Sequence, residues 1–192
     1  MTDLAPLLAA LDPAPRHEPA PGDRAAAVLA LVVLTPAPAL VLTERDASLS
    51  RHPGEVSLPG GLRDREDPSL AATALRETAE ELGIDPTLPR ILGALPPVHT
   101  FVSGILVTPF VATLDVLPTL RVHRAEIARV FTVPLADLAA AEERRMLHRD
   151  DRGTVDGWWY EVDGATVWGA TGHMVHELLT RVRQEVPPWL TS

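Results

Sequence analysis

The sequence lacks cysteine, lysine and asparagine, and the first two absences exclude whole classes of chemistry. None of the 192 residues is cysteine, which excludes disulfides, thiolate nucleophiles, iron–sulfur clusters and cysteine zinc sites. All 17 basic residues are arginine. The chain therefore has no lysine for a phosphate-binding loop, for a kinase site or for a Schiff base.

Positive charge is also scarce. The 26 acidic residues outnumber the 17 basic ones and give a formal net charge of -9. Non-specific nucleic-acid binding needs a surplus of cations, and anionic membrane surfaces repel such a chain, so neither is expected as a partner. With 46% hydrophobic and 22% charged residues, the composition indicates a soluble globular protein built around one main domain.

Targeting signals are not expected either. The segment Met1–Leu11 carries Asp3 and no base, unlike a signal peptide. The uncharged run Ala25–Thr43 approaches membrane-spanning length. However, Pro36 and Pro38 interrupt it and its valines favour extended structure, so we predict strand, turn and strand there, and a cytoplasmic protein.

The hydrophobic periodicity predicts an α/β (α+β) fold, a mixed β-sheet with helices packed on its faces. We expect an N-terminal helix and proline-rich linker over 1–23 and the main domain over 24–192. The predicted helices are Thr2–Leu11, Ser69–Leu82, one near Pro134–Glu143, and Gly172–Gln184, with the linker at Asp12–Gly22. The predicted strands are Ala26–Leu34, Leu40–Thr43, Gly54–Leu58, Ile91–Leu95, Ile105–Leu114, Ile127–Val133, Trp158–Val162 and Ala165–Trp168, the last two joined by a hairpin turn at Asp163-Gly164. Loops are predicted at Leu62–Pro68 and Pro96–Gly104.

The central helix concentrates carboxylates. At 100° per residue, Glu77, Glu80 and Glu81 fall within an arc of about 100°. The predicted core face lies opposite and comprises Ala71, Leu75, Thr78, Ala79 and Leu82. Like charges at this spacing, close to the helix C-terminus, are unfavourable. The face is therefore either a solvated surface or a site for a hard cation such as Mg²⁺.

The residues before this helix strengthen the second interpretation. Pro59-Gly60-Gly61 is predicted to form a turn at which the backbone can approach a ligand closely. Arg76 can reach back to a loop carboxylate, Asp64 or Asp67, and so fix the helix to the loop.

This segment resembles the Nudix box, which is Gly, five residues, Glu, seven residues, then Arg-Glu-apolar-any-Glu-Glu-any-Gly-apolar. Gly61 opens the match and the run Arg76–Ile84 closes it, with threonine in the first apolar slot. The loop is one residue longer than in the general pattern. The acidic role in that loop therefore falls on Asp67 or, as a less favoured alternative, on Glu66.

The longer loop and the residues upstream resemble the coenzyme A diphosphatase subgroup of that family. The matching segments are Val41–Asp46, Leu49–Gly61 with the following aspartates Asp64 and Asp67, and Thr73–Glu77. Three positions depart from the subgroup pattern, with Asp46 in place of serine, Ser50 in place of arginine and Leu58 in place of phenylalanine.

The resemblance implies a Nudix fold and a Mg²⁺- or Mn²⁺-dependent hydrolase that cleaves coenzyme A to 3′,5′-ADP and 4′-phosphopantetheine. Metal binding is carried over to Glu77, Glu81, Glu80 and Gly61, and catalysis to Glu80, Glu77 and Arg76, with Glu80 either a further ligand or the general base. Substrate binding is expected of a separate set: Arg45, Arg51, His52 and Gly60. For the first three of that set, a solvated loop with ordinary charges is the alternative.

Several features outside the box are expected to be structural. We expect a strand with one buried face at Trp158–Tyr160, with adenine stacking as the alternative. We expect a solvated helix end at Glu142–Arg145, and packing or exposure for His173 and His176. For His99, closure of the site is one possibility.

Two other functions stay open at this stage. The chain could hydrolyse another nucleoside diphosphate derivative, such as ADP-ribose or a dinucleoside polyphosphate, although the upstream motif argues against it. It could also be a Nudix-like regulator that only binds nucleotides, although all three glutamates are intact. A small-molecule substrate and a monomer or homodimer are expected.

Overall fold

The computed structural model describes residues 24–50, 52–100, 104–149 and 153–185. The predicted helix Thr2–Leu11, the linker Asp12–Gly22 and Arg51 lie outside the described residues. Because of this, the division at residue 23 and the position of Arg51 stay predictions. No helix in the described ranges is both long enough and apolar enough to cross a membrane.

The described residues form eleven strands and three helices. The strands are β1 Arg24–Val33, β2 Ala39–Arg45, β3 Val56–Ser57, β4 Gly60–Leu62, β5 Arg90–Ala94, β6 Val98–Thr100, β7 Ile105–Leu114, β8 Ile127–Pro134, β9 Glu143–Arg149, β10 Gly153–Val162 and β11 Ala165–Val167. The helices are α1 Leu70–Leu82, α2 Leu135–Ala141 and α3 Gly169–Glu185.

The main sheet is organised around two long parallel strands, β1 and β7, which pair along their whole length from Arg24↔Ile105 to Val33↔Leu114. Each has different antiparallel partners at its two ends. The N-terminal half of β1 pairs with β4 and its C-terminal end with β2, while β7 pairs with β6 and then β5. Strands β3 and β8 extend the sheet from β2. Strand β4 pairs with residues 26–28 of β1, and this pairing places β4 beside helix α1.

Both faces of β1 are covered, which explains its nearly continuous apolar sequence. One face, with Leu29 and Leu31, packs with α1 through residues such as Ala74 and Leu82. The opposite face packs against α2, α3 and the three-stranded sheet β9–β11. The predicted mixed sheet between helices is confirmed.

Three local predictions are wrong. The glycines expected in a turn form strand β4, because the edge of β1 offers Val28 and Ala27 as partners for Gly60 and Gly61. The predicted loop Pro96–Gly104 contains β6, which pairs with β7.

The segment Glu142–Arg145 is not a solvated helix end. Helix α2 stops at Ala141 and strand β9 begins at Glu143, in register with β10 through Glu143↔Trp159. Because β10 provides this partner, the charged sequence is extended rather than helical.

Candidate active site

Helix α1 begins and ends where its capping residues predict. The Ser69 hydroxyl accepts a hydrogen bond from the Ala72 amide at 3.1 Å. Gly83 adopts the left-handed conformation with φ 69° and donates its amide to the Ala79 carbonyl at 2.8 Å. The next two helix-end carbonyls, of Glu81 and Leu82, accept from the amides of His123 and Arg121, both at 2.8 Å. The acidic end of α1 is thereby anchored to the segment before β8.

The predicted core face of α1 is only partly correct. The buried residues of the helix are Thr73, Ala74, Thr78, Glu81 and Leu82. Ala71, Leu75 and Ala79, which were expected in the core, are only half-buried. Thr78 fills an apolar slot because its hydroxyl donates to the Ala74 carbonyl at 2.7 Å. The helix is therefore rotated so that Glu81 points into the protein and Glu80 to solvent.

Arg76 ties α1 to the preceding loop through Asp67, as the sequence predicts. Its Nε and Nη2 donate to the two Asp67 carboxylate oxygens, each at 2.9 Å, and Nη2 also donates to the Leu62 carbonyl at 3.1 Å. Asp67 is buried and also accepts from the Thr73 hydroxyl and the Asp64 amide, both at 2.9 Å. These contacts hold the pKa of Asp67 well below its usual range, and the bidentate contact with Arg76 contributes most to the lowering. Asp67 is therefore the loop carboxylate that contacts Arg76.

Glu77 lies against the glycine strand. A Cβ atom at Gly61 would come within 2.5 Å of the Glu77 carboxyl carbon, so only glycine allows this approach. Burial raises the pKa of Glu77, and the neighbouring Glu80 and Asp67 add to the rise, whereas its ion pair with Arg76 at 2.9 Å opposes it.

Glu81 is the most deeply placed carboxylate of the three, with 7% of the residue exposed. Its Oε2 accepts a hydrogen bond from the Gly60 amide at 3.2 Å. Burial raises the pKa of Glu81 to about 7; the Gly60 amide and the Arg45 cation oppose this rise, and the charges of Glu77 and Glu126 add to it. A carboxylate that is buried with so few donors is poised to accept a cation.

Glu80 differs from its neighbours because its side chain is 60% exposed and pairs with Arg76 at 3.1 Å. No three Asp, Glu or His side chains converge into a ready metal site within the described ranges. Glu77 and Glu81 nevertheless supply the hard oxygen donors that Mg²⁺ and Mn²⁺ prefer.

The predicted substrate-binding residues do not all gather at this place. Gly60 contacts Glu81 through the hydrogen bond from its amide, and the positive charge of Arg45 acts to lower the pKa of Glu81. His52 pairs with Glu55 at 2.8 Å, and its side chain is 57% exposed. His52, Pro53 and Gly54 are exposed, whereas the charge of Arg45 acts on Glu81.

Glu126 is a residue near the site that the sequence analysis missed. It lies 45 positions after Glu81 and precedes β8, and no motif marks it. The pairing of β2 with β8 brings it close, since the Asp46 amide donates to the Glu126 carbonyl at 2.9 Å. Only the strand pairing could have revealed it.

The site combines helix α1, strand β4 with its two glycines, and two carboxylates, of which Glu81 is buried and Glu77 is half-buried. Such carboxylates can hold a divalent cation, and a glycine strand leaves room for a substrate next to it. Chemistry of this kind suits hydrolysis of a phosphate anhydride, in which negative charge must be neutralised.

Comparison with known proteins agrees with this chemistry. The NUDIX domain family model matches residues 23–156. A protein of Photorhabdus laumondii named "Uncharacterized Nudix hydrolase NudL" is 37% identical over 174 residues, covering 89% of this chain and 91% of the relative. The protein of that name in Citrobacter koseri is 40% identical over 164 residues, covering 83% of each chain.

A solved structure shares the fold. The Nudix domain of Shewanella oneidensis NrtR, crystallised with ADP ribose, superposes with a TM-score of 0.51 at 24% identity, over 73% of this chain and 88% of that one. Since the family model and the relatives span most of the sequence, the chain belongs to the Nudix hydrolase family.

Proposed function

We propose that this Nudix hydrolase is a Mg²⁺- or Mn²⁺-dependent diphosphatase of coenzyme A and its derivatives, with 3′,5′-ADP and 4′-phosphopantetheine as products. The observation that carries the hydrolytic part is the pair of buried or half-buried carboxylates, Glu77 and Glu81, held against Gly61 and Gly60. The upstream match over Leu49–Gly61 supports coenzyme A as the substrate.

The metal would be held by Glu77 and Glu81 with the carbonyl of Gly61 as a further donor, and Glu80 would be either a fourth donor or the general base. These residues fit such an ion because burial disfavours their negative charge in its absence, and a bound cation would relieve both carboxylates. The metal would supply neutralisation of the phosphate oxygens and activation of water.

The protein's own residues would do the remaining work. Arg76 orients Glu77 and Glu80 by ion pairs, at 2.9 and 3.1 Å, while Asp67 fixes Arg76. Glu80, exposed at the edge of the site, is our candidate for the general base that takes a proton from the attacking water. The substrate would be bound by Arg45, Arg51, His52 and the Gly60 backbone. We also propose a cytoplasmic location and action as a monomer or homodimer.

The test is a hydrolysis panel of coenzyme A, an acyl-coenzyme A, ADP-ribose and NADH, with Mg²⁺ or with EDTA. We expect coenzyme A or its acyl form to give the highest kcat/KM, with both products identified by mass and no turnover in EDTA. ADP-ribose is the sharpest competitor, because the Nudix domain of NrtR was crystallised with it. A tenfold preference for ADP-ribose would reject coenzyme A as the substrate and keep the hydrolase.

A further inference from the structure

Arg45 occupies an unusual position at the end of β2. The pairing of β2 with β8 shifts register between Glu44 and Arg45, and such bulges re-aim side chains, often next to active sites. The backbone of Arg45 is fixed on both sides, since its amide donates to the Glu55 carbonyl at 3.0 Å and its carbonyl accepts from the Gly54 amide at 3.2 Å.

The side chain of Arg45 has an unused donor. Its Nε is buried and finds no hydrogen-bond partner among the described residues. A buried donor without a partner is unfavourable, and a ligand that accepts from it would remove that penalty. Arg129, on the neighbouring strand β8, offers a contrast: its Nε donates to Glu44 at 3.0 Å and its Nη1 to Asp163 at 3.1 Å.

The surroundings of Arg45 show which ligand it suits. Backbone hydrogen bonds tie the end of β2 to the end of α1: the Asp46 amide donates to the Glu126 carbonyl at 2.9 Å, and the Glu126 amide to the His123 carbonyl at 3.0 Å. The His123 amide in turn donates to the Glu81 carbonyl at 2.8 Å. Around Glu81, Arg45 is a cation, whereas Glu77 and Glu126 are anions. Arg45 is therefore a positive charge with a spare donor at the acidic centre, whereas His52 is paired with Glu55 on the exposed loop. An anionic group bound next to the carboxylates would satisfy the spare Arg45 donor.

We infer that Arg45 contacts the diphosphate oxygens of the substrate, the group common to all Nudix substrates, and does not read the 3′-phosphate of coenzyme A. This inference rests on the proposed diphosphatase function and sharpens it. Recognition of the 3′-phosphate then falls to the loop that contains Arg51 and His52.

The first experiment measures binding rather than turnover. Imidodiphosphate, a diphosphate that is not hydrolysed, is titrated by calorimetry at a fixed Mg²⁺ concentration. We expect the Kd to rise about ten- to a hundredfold in Arg45→Ala, from the loss of charged hydrogen bonds, and to rise less in Arg45→Lys, which keeps the charge without the planar fork. The matched control Arg129→Ala should bind within twofold of the wild type.

A double-mutant cycle separates contact with the ligand from an effect through Glu81. The cycle is titrated in EDTA, so that loss of a proposed metal ligand does not enter. In the Glu81→Gln background the carboxylate charge is gone, and Arg45→Ala should still weaken imidodiphosphate binding by a factor similar to that in the wild-type background. If Arg45→Ala binds like the wild type, or if its effect disappears in that background, the inference is wrong.

The second experiment compares coenzyme A with its 3′-dephospho form. Arg45→Ala should lower kcat/KM for both by the same factor, whereas Arg51→Ala should lower it mainly for coenzyme A. A loss in Arg45→Ala that is confined to coenzyme A would overturn the inference. If the wild type turned over none of the diphosphates, the proposed function would fail, while the imidodiphosphate titration would still test Arg45.

Discussion

Two glutamates with little solvent exposure, Glu81 and Glu142, have opposite environments. Glu81 is 7% exposed and accepts a hydrogen bond from the Gly60 amide at 3.2 Å. The Glu142 side chain is 10% exposed and accepts from the Tyr160 hydroxyl at 2.9 Å, from His176 Nδ1 at 3.0 Å and from Arg183 Nη1 at 2.5 Å. Burial opposes ionisation of both, but only Glu142 has the donors to overcome it.

The pKa values of the two carboxyls move in opposite directions. Burial raises that of Glu81 to about 7. For Glu142 burial also acts upward, but the His176, Arg183 and Tyr160 hydrogen bonds outweigh it and lower the pKa. A buried carboxylate is thus structural when the protein satisfies it, and open to a ligand when the protein leaves it poorly satisfied. Glu142 links β10 to α3, and Glu81 is the glutamate that we propose as a metal ligand.

The largest expected effect is on activity. Glu81→Gln should lower kcat at least a hundredfold, and Glu77→Gln should do the same, because each removes a proposed metal ligand. Both variants should fold, since neutralising a charge in an acidic cluster costs little stability. Circular dichroism and steady-state kinetics at saturating Mg²⁺ provide the measurement.

Glu142→Gln is the matched control for that experiment. Its activity per folded molecule should stay within threefold of the wild type, because Glu142 lies outside the site. Near-wild-type turnover in Glu81→Gln, or a large loss in Glu142→Gln, would contradict the assignment of Glu81 to the active site and of Glu142 to a structural role.

The second effect is on stability. Glu142→Gln should lower the free energy of unfolding by about 2 kcal/mol, because it removes charged hydrogen bonds from a nearly buried network. Urea unfolding at pH 7 measures this change, with Glu81→Gln as the comparison. An unchanged midpoint in Glu142→Gln would show that the network contributes nothing net.

The contrast between these glutamates also marks the limit of prediction from sequence. The box could be predicted because its parts are local: Ser69 and Gly83 cap the helix, and Arg76 reaches Asp67 nine residues away. The two long core strands could be predicted from their apolar runs, although their parallel pairing was not predicted. Local signals also placed the hairpin at Asp163, where φ is 50°, and Gly164, where φ is 72°.

What the sequence could not predict depends on partners far along the chain. The glycines became a strand because β1 has a free edge next to them, and Glu142 became a buried acceptor because α3 brings His176 and Arg183 to it. The rotation of α1 that buries Glu81 follows from its packing on the sheet. A helical wheel gives the arc of the acids, but it does not show which part of that arc faces inward.

A third effect concerns the metal. Mg²⁺ or Mn²⁺ at ten times its Kd should stabilise the wild type by about 1.4 kcal/mol through mass action, since the site exists only in the folded state. The rise in Tm should be present in Glu142→Gln and absent in Glu81→Gln. If Na⁺ at the same ionic strength raised the Tm equally, the acidic face would be an ordinary solvated surface.

The smallest effect is a difference in pH dependence, measured in EDTA by urea unfolding between pH 4 and 7.5. Glu81 has a raised pKa in the folded state, so the folded protein holds the proton longer than the unfolded chain, and this group's contribution to stability is lost as pH rises toward about 7. The unfolding free energy of the wild type, relative to Glu81→Gln, should therefore fall by about 1 kcal/mol between pH 6 and 7. Glu142 has a lowered pKa, so its contribution is present above the unfolded pKa near 4.5 and is lost on acidification. The wild type relative to Glu142→Gln should accordingly be level from pH 5 to 7 and decline toward pH 4. Parallel curves for the two variants would mean that the two carboxyls share one environment, and the distinction between a satisfied and an open glutamate would be lost.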